Sequence, residues 1–82
     1  MDLRKKVERI LKKATSPSAI VVLRDEDGIF GYVTSRRFDG MDAIDRQNLI
    51  WDELDKGLTQ EEKRRVVSIV AVTPEEEIAH TS

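Results

Sequence analysis

The chain has 82 residues and no cysteine, and its 14 basic and 16 acidic side chains give a formal net charge of -2. A chain this short supports one core without a separate catalytic domain, and without cysteine it forms no disulfide and no thiolate-ligated metal site of its own. No apolar run approaches the roughly 18 residues that span a bilayer, and Met1 leads into a charged segment instead of a signal peptide. We therefore expect one cytoplasmic domain, residues 1–82, with no membrane contact.

Residues 1–14 have the spacing of an amphipathic helix. The apolar side carries Leu3, Val7, Ile10, Leu11 and Ala14. The opposite side carries Lys5, Lys6, Arg9, Lys12 and Lys13. The apolar side is predicted to pack on the core. The basic side is either a solvated surface or a local anion-binding patch.

Residues 19–34 predict a β-hairpin. Ala19–Leu23 and Ile29–Thr34 are rich in β-branched and aromatic residues, which favour strands. Between them, Asp27-Gly28 predicts a two-residue type I′ turn, in which both central residues have positive φ. A connection this tight leaves little room for a binding site.

Residues 42–57 predict a crossover helix that joins the hairpin to a third strand. Gly40 is predicted to take positive φ in the preceding turn, and Asp42 is positioned to cap the helix. One arc of this helix is predicted to face the core: Ala43, Ile44, Gln47, Ile50, Trp51, Leu54 and Leu58. Trp51 is therefore interpreted as a core residue and not as a ligand-stacking one. The run from Thr59 to Glu62 has capping-box spacing and predicts a short further helix.

Residues 66–72 predict the last strand, and they are apolar almost without alternation, as in a strand buried on both faces. Strict alternation places one set on one face: Val66, Val70 and Val72. It places the other set on the opposite face: Val67, Ile69 and Ala71. Two amphipathic helices cover only one face, so the first set needs a different cover. The tail, residues 73–82, predicts a short helix capped by Thr73 and offers little apolar surface, so we predict that a protein partner or a second copy covers the open face.

Catalytic chemistry finds little support in the sequence. The single histidine, His80, lies near the chain end, where a base or metal ligand has no fixed geometry. No phosphate-binding loop, dinucleotide fingerprint, zinc-binding helix motif or nucleophile elbow occurs. We predict that the protein is not an enzyme and needs no cofactor.

Two separated motifs resemble those of the BolA-like family. The first is similar to that family's Phe-x-Gly, Arg and Leu-Val pattern, and it consists of Phe38, Gly40, Arg46, Leu49 and Ile50. The second is similar to the closing Ser and Thr-Pro-Glu-Glu of the family, and it consists of Ser68, Thr73, Pro74, Glu75 and Glu76. The resemblance implies a BolA-like fold, a relative of the class II KH fold. The predicted fold class is α+β in the order α-β-β-α-β, with two main helices on one face of a three-stranded mixed sheet.

The sequence departs from the family at the positions that hold metal. Family members that share an iron–sulfur cluster with a monothiol glutaredoxin use a histidine at the start of the last strand, where this chain has Arg65. Arginine stays protonated and has no lone pair for a metal. The second family ligand is a histidine or cysteine in the first hairpin loop, and residues 25–28 contain neither. Cluster sharing with a glutaredoxin is therefore doubtful.

Two functions follow from this resemblance and its departures. One is a metal-free BolA-like binding or regulatory module that contacts protein partners through the open sheet face, residues Val66, Val70 and Val72, and through Leu49. The alternative is a KH-like nucleic-acid-binding protein, in which a local basic patch contacts phosphates. The patch would consist of Arg36, Arg37, Lys63, Arg64 and Arg65.

Overall fold

A computed structural model describes residues 2–16 and 19–81 of the chain. In chain order the elements are α1 (Leu3–Thr15), β1 (Ile20–Asp25), β2 (Ile29–Thr34), a 3-10 turn (Arg36–Phe38), α2 (Ala43–Gly57), α3 (Gln60–Arg64), β3 (Val66–Val72) and α4 (Pro74–Thr81). Within the described ranges, no helix is long and apolar enough to cross a membrane.

The three strands form one mixed sheet in the order β1-β2-β3. β1 pairs antiparallel with β2, and β3 pairs parallel with β2. A hairpin suffices for the first pairing, but parallel strands need a long crossover, which α2 and α3 provide. The predicted α+β class and element order are confirmed.

The core lies between the sheet and the pair formed by α1 and α2. Both helices pack on one face of the sheet and contact each other. The fully buried side chains include Val7 and Leu11 from α1, and Ile50 and Leu54 from α2. Phe38, in the 3-10 turn, is 0% exposed and is the largest of them. Ala43 and Ile44 are exceptions to the predicted core arc, because both are exposed near the start of α2, Ile44 at 71%.

The hairpin connection is one residue longer than predicted. Asp25 pairs with Ile29, so the loop consists of residues 26–28. Asp27 and Gly28 both have positive φ, at 53° and 125°, as the Asp-Gly pair predicted.

The face assignment of β3 was wrong at its first two residues. Ile29 pairs with Val66 while Phe30 pairs with Ser68, so Val67 is an extra residue in β3. A bulge of this kind interrupts the alternation of side chains. Val66 therefore points into the core, and Val67 is 51% exposed. The rest of the strand alternates, with Ile69 and Ala71 buried.

Gly40 has a φ of 79° in the turn before α2, which confirms its predicted conformation. Among the described residues, apart from the two chain neighbours, no atom lies within 4 Å of the position that a Cβ would occupy there. We expect Gly40→Ala to lower the free energy of unfolding by about 1 kcal/mol, through backbone strain alone. Urea denaturation measures this loss, and an unchanged midpoint would contradict it.

Candidate functional site

The face of the sheet that points away from α1 and α2 is largely apolar. Pairing aligns Val22, Tyr32 and Val70 across its middle. The next row toward the hairpin loop aligns Arg24, Phe30 and Ser68. The open sheet face consists of these residues together with Ile20, Val67 and Val72. Several of its apolar side chains are strongly exposed, among them Val22 at 41% and Val70 at 52%.

The predicted partner surface is only partly the one that the structure presents. Val70 lies on the open sheet face, and Val72 is half-buried at its end. Val66 lies in the core, and Leu49 is half-buried and packs against the core, so neither belongs to an open surface. Val22 and Phe30 were not predicted members of this surface. Side chains alternate between the two faces along β1 and β2, and this alternation could have assigned both residues to the open sheet face.

The predicted basic patch is divided between the two ends of the sheet. Because β3 runs parallel to β2, the start of β3 lies beside the start of β2. Arg64 and Arg65 lie at that end, whereas Arg36 and Arg37 follow the other end of β2. A six-residue strand separates the two groups by about 20 Å. Lys63 is also engaged, in an ion pair with Asp55.

The hairpin loop and Arg65 meet at the same end of the molecule. Arg65 Nη2 lies 4.0 Å from Asp25 Oδ2. A guanidinium offers no lone pair, and the neighbouring carboxylate is already paired with it. Iron–sulfur clusters are held by thiolates or imidazoles, which these two residues do not supply. The donor set at this end therefore does not fit a shared cluster.

Most residues of the two BolA-like motifs have identifiable structural roles in the fold. Phe38 fills the core, and Gly40 makes the turn into α2. Ser68 is exposed on the open sheet face. Pro74 is the first residue of α4, and Thr73 caps it.

Arg46 links three parts of the fold. Its Nε donates to the Met41 carbonyl at 3.0 Å, and its Nη1 donates to the Ala71 carbonyl at 3.4 Å. Both Nη atoms donate to the Glu76 carboxylate, at 2.7 and 3.2 Å. Glu76 also accepts from the Thr73 backbone N–H, completing the cap of α4. This Arg46 network joins α2, β3 and α4.

Two glutamates have a lowered pKa for the same kind of reason. The pKa of Glu76 is lowered to about 2, first by the hydrogen bonds from Arg46 and then by the N–H of Thr73. The pKa of Glu62 is lowered by the Thr59 N–H and then by Lys6. Each glutamate completes a capping box and also binds a cation from another helix. These groups hold α3 and α4 in place and are not poised for proton transfer.

A groove of about 560 Å³ separates the first half of α2 from the outer edge of β3. Met41, Ala43, Gln47 and Trp51 line one side, and residues 67–71 of β3 line the other. Trp51 packs against the core but is only half-buried, so its prediction as a core residue is correct only in part. No sequence pattern indicates this groove, because its two walls lie about 20 residues apart in the chain.

Among the described residues, no group of three His, Cys, Asp or Glu side chains comes together that could hold a metal ion. His80 falls on α4, but its side chain lies outside the described part.

No protein-family model matches the chain, and no curated protein matches it. Among solved structures, it is similar to a Bol-like protein from Babesia bovis, with 24% identity and a TM-score of 0.74 over 100% of this chain and 96% of that one. It is also similar to BolA1 from Arabidopsis thaliana, with 22% identity and a TM-score of 0.72 over 93% and 96%. The BolA domain of SufE1 from Arabidopsis thaliana has 25% identity and a TM-score of 0.66, again over 93% and 96%. The BolA-like fold that the motifs predicted is therefore confirmed.

Proposed function

We propose that this chain is a metal-free BolA-like binding or regulatory module that acts through protein contacts at the open sheet face. The observation that carries the proposal is the exposure of adjacent apolar side chains on three strands. Val22, Phe30 and Val70, one from each strand, are 41, 40 and 52% exposed, although α4 directly follows β3. Contiguous apolar patches on a small domain mark interaction sites, since burying them is favourable by roughly 25 cal/mol per Å².

The known structures support the class of function. One of the similar proteins is a BolA domain of SufE1, so this fold also occurs as a domain of a larger protein. The proposal does not extend to a shared iron–sulfur cluster, because Arg65 and the loop at residues 25–28 offer no suitable ligands. The proposed module is non-enzymatic, since the two described carboxylates with a lowered pKa, Glu62 and Glu76, are both engaged as caps and ion-pair partners.

Nucleic-acid binding through the predicted basic patch is the weaker candidate. Its five residues lie at opposite ends of the sheet, and Lys63 and Arg65 are each paired with an aspartate. Phosphate contacts gain from clustered, unpaired cations, which this arrangement does not offer.

The test compares two variants that add the same charge. Val22→Lys places an ammonium on the open sheet face, and Asn48→Lys places one on the exposed side of α2. We expect the wild type either to self-associate in light scattering across a concentration series or to retain a partner from a lysate of its host, with glutaredoxins scored explicitly. Val22→Lys is expected to abolish that contact, and Asn48→Lys to preserve it.

Two results would refute the proposal. One is a wild type that stays monomeric and retains no partner. The other is a contact that Val22→Lys leaves intact, while its denaturation midpoint confirms that the variant is folded.

A further inference from the structure

The outer edge of β1 presents free backbone groups. The N–H groups of Ile29 and Ser35 both donate to carbonyls on the β3 side. Because backbone direction alternates along a strand, the even-numbered residues of β2 face β1 and bond to the even-numbered residues of β1. Val21 and Leu23 therefore point their N–H and C=O groups outward. Among the described residues, β1 has a strand neighbour only on the β2 side, and nothing else bonds to these groups.

This edge lacks the usual protections of a free strand. From Ile20 to Leu23, β1 has no charged side chain and no proline. Its side chains on the open sheet face are largely in water, with Ile20 54% and Val22 41% exposed. A strand added to this edge pairs with the free backbone groups and covers part of that apolar surface.

One flank of α1 lies on the side of this edge. α1 packs on β1, whereas α2 and α3 pack on β3. Lys6 marks the flank of α1 that faces α3, because its Nζ donates to the Glu62 carboxylate at 3.0 Å. Helical spacing places Arg4, Glu8 and Lys12 on the opposite flank, toward the β1 edge. The 13 residues of α1 and the six of β1 each extend about 20 Å, so this flank is long enough to follow the whole edge.

The same flank is strongly basic. A groove of about 700 Å³, which we call the basic groove, connects it with Ala19, just before β1. Five cations and one carboxylate line the basic groove: Arg4, Lys5, Arg9, Lys12, Lys13 and Glu8. The Glu8 carboxylate is already paired, with Arg4 Nη1 at 3.8 Å and with Lys12 Nζ at 3.4 Å. Lys5, Arg9 and Lys13 are exposed and form no ion pair within the described part of the chain. The uncompensated charge beside the edge is therefore positive.

These features together select an acidic polypeptide. The edge offers both donors and acceptors, and an extended polypeptide returns both, whereas a phosphodiester backbone has no N–H donor. A second copy does not fit, because pairing β1 with β1 about a two-fold axis brings two basic flanks side by side. A partner strand with carboxylates on the side of α1 has the complementary charge.

We propose that the outer edge of β1 binds an extended segment of a partner polypeptide in which acidic and apolar residues alternate, and that this segment adds to β1 as a further strand. Its backbone bonds to Val21 and Leu23, and its carboxylates face the basic flank of α1. Its apolar side chains extend the open sheet face beside Val22. The inference goes beyond the proposed function, because it assigns a second surface, the edge of the sheet.

The probe is a synthetic peptide of sequence Glu-Val-Glu-Val-Glu-Val-Glu with an N-terminal fluorescent label, and its anisotropy measures binding. We expect saturable binding that weakens as the salt concentration rises. We expect little binding by a version with lysine for glutamate, which has the wrong charge. We also expect little by a version N-methylated at all its central residues, which cannot pair as a strand.

Two matched variants locate the site. Lys12→Glu reverses a charge on the basic flank of α1, whereas Lys56→Glu reverses one near the end of α2. Both lysines are exposed, and each pairs with one glutamate of its own helix. We expect Lys12→Glu to raise Kd at least about fivefold and Lys56→Glu to change it less than about twofold. Denaturation midpoints near that of the wild type confirm that both variants fold.

Hydrogen exchange gives the backbone signature. The peptide is expected to slow exchange at the N–H groups of Val21 and Leu23, and to change little at Val22 and Arg24, which already face β2. Equal effects of the two glutamate variants, or no slowing at Val21 and Leu23, would overturn the proposal. So would a single-stranded oligothymidylate that binds more tightly than the peptide, or the same protection on dimerisation without peptide, since these assign the edge to nucleic acid or to a second copy. A peptide that fails to bind while Val22→Lys still abolishes a protein contact refutes only this inference.

Discussion

Phe38→Ala is expected to lower the free energy of unfolding by about 3 to 5 kcal/mol, the usual cost of removing a buried aromatic ring. Phe38 is fully buried, and it fastens the turn between β2 and α2 to the core. Most other members of the core cluster that contains Phe38 lie in helices and strands, which limits how far the core collapses into the cavity. Urea denaturation followed by circular dichroism measures the loss.

Phe30 provides the matched control, because it is the other phenylalanine of the chain and is 40% exposed on the open sheet face. We expect Phe30→Ala to cost about 1 kcal/mol or less, since much of its ring is already in water. Equal losses for the two variants would mean that Phe38 does not anchor the core.

Arg46→Ala is expected to cost about 2 kcal/mol, because it removes charged hydrogen bonds and leaves the carbonyls of Met41 and Ala71 without this donor. The Arg46 side chain is only 15% exposed, so water replaces these bonds poorly. Arg24→Ala is the control: its pairing with Glu26 is at the surface, and the expected change is within about 0.5 kcal/mol. A loss from Arg46→Ala as small as that of the control would contradict a structural role for the network.

The Arg46 network also has a pH signature. The folded-state pKa of Glu76 is about 2, below its ordinary value of 4.5, so its contribution is complete above about pH 4.5 and is lost as the pH falls toward 2. Arg46→Ala removes the main cause of that shift. The difference in denaturation midpoint between wild type and variant is therefore expected to shrink between about pH 6 and pH 3. A difference that stays constant over this range would show that the Glu76 charge contributes nothing.

Local features of the fold followed from the sequence because they depend on neighbouring residues. The Thr59 capping box and the positive φ of Asp27, Gly28 and Gly40 are confirmed for this reason. Helical periodicity also predicted which face of α1 is buried. The two motifs predicted the fold because they contain residues with specific structural roles. Phe38 is fully buried in the core, and Thr73 caps α4.

The surfaces depended on contacts between distant residues, and only the tertiary structure decided them. One inserted residue at Val67 exchanged the faces of Val66 and Val67, and alternation alone contains no sign of a bulge. The parallel pairing of β3 with β2 separated Arg37 from Arg65, which a linear sequence does not reveal. The groove and the Arg46 network likewise exist only because the crossover returns the chain beside α2. The sequence by itself determined the elements and their order, whereas packing determined which side chains share a surface.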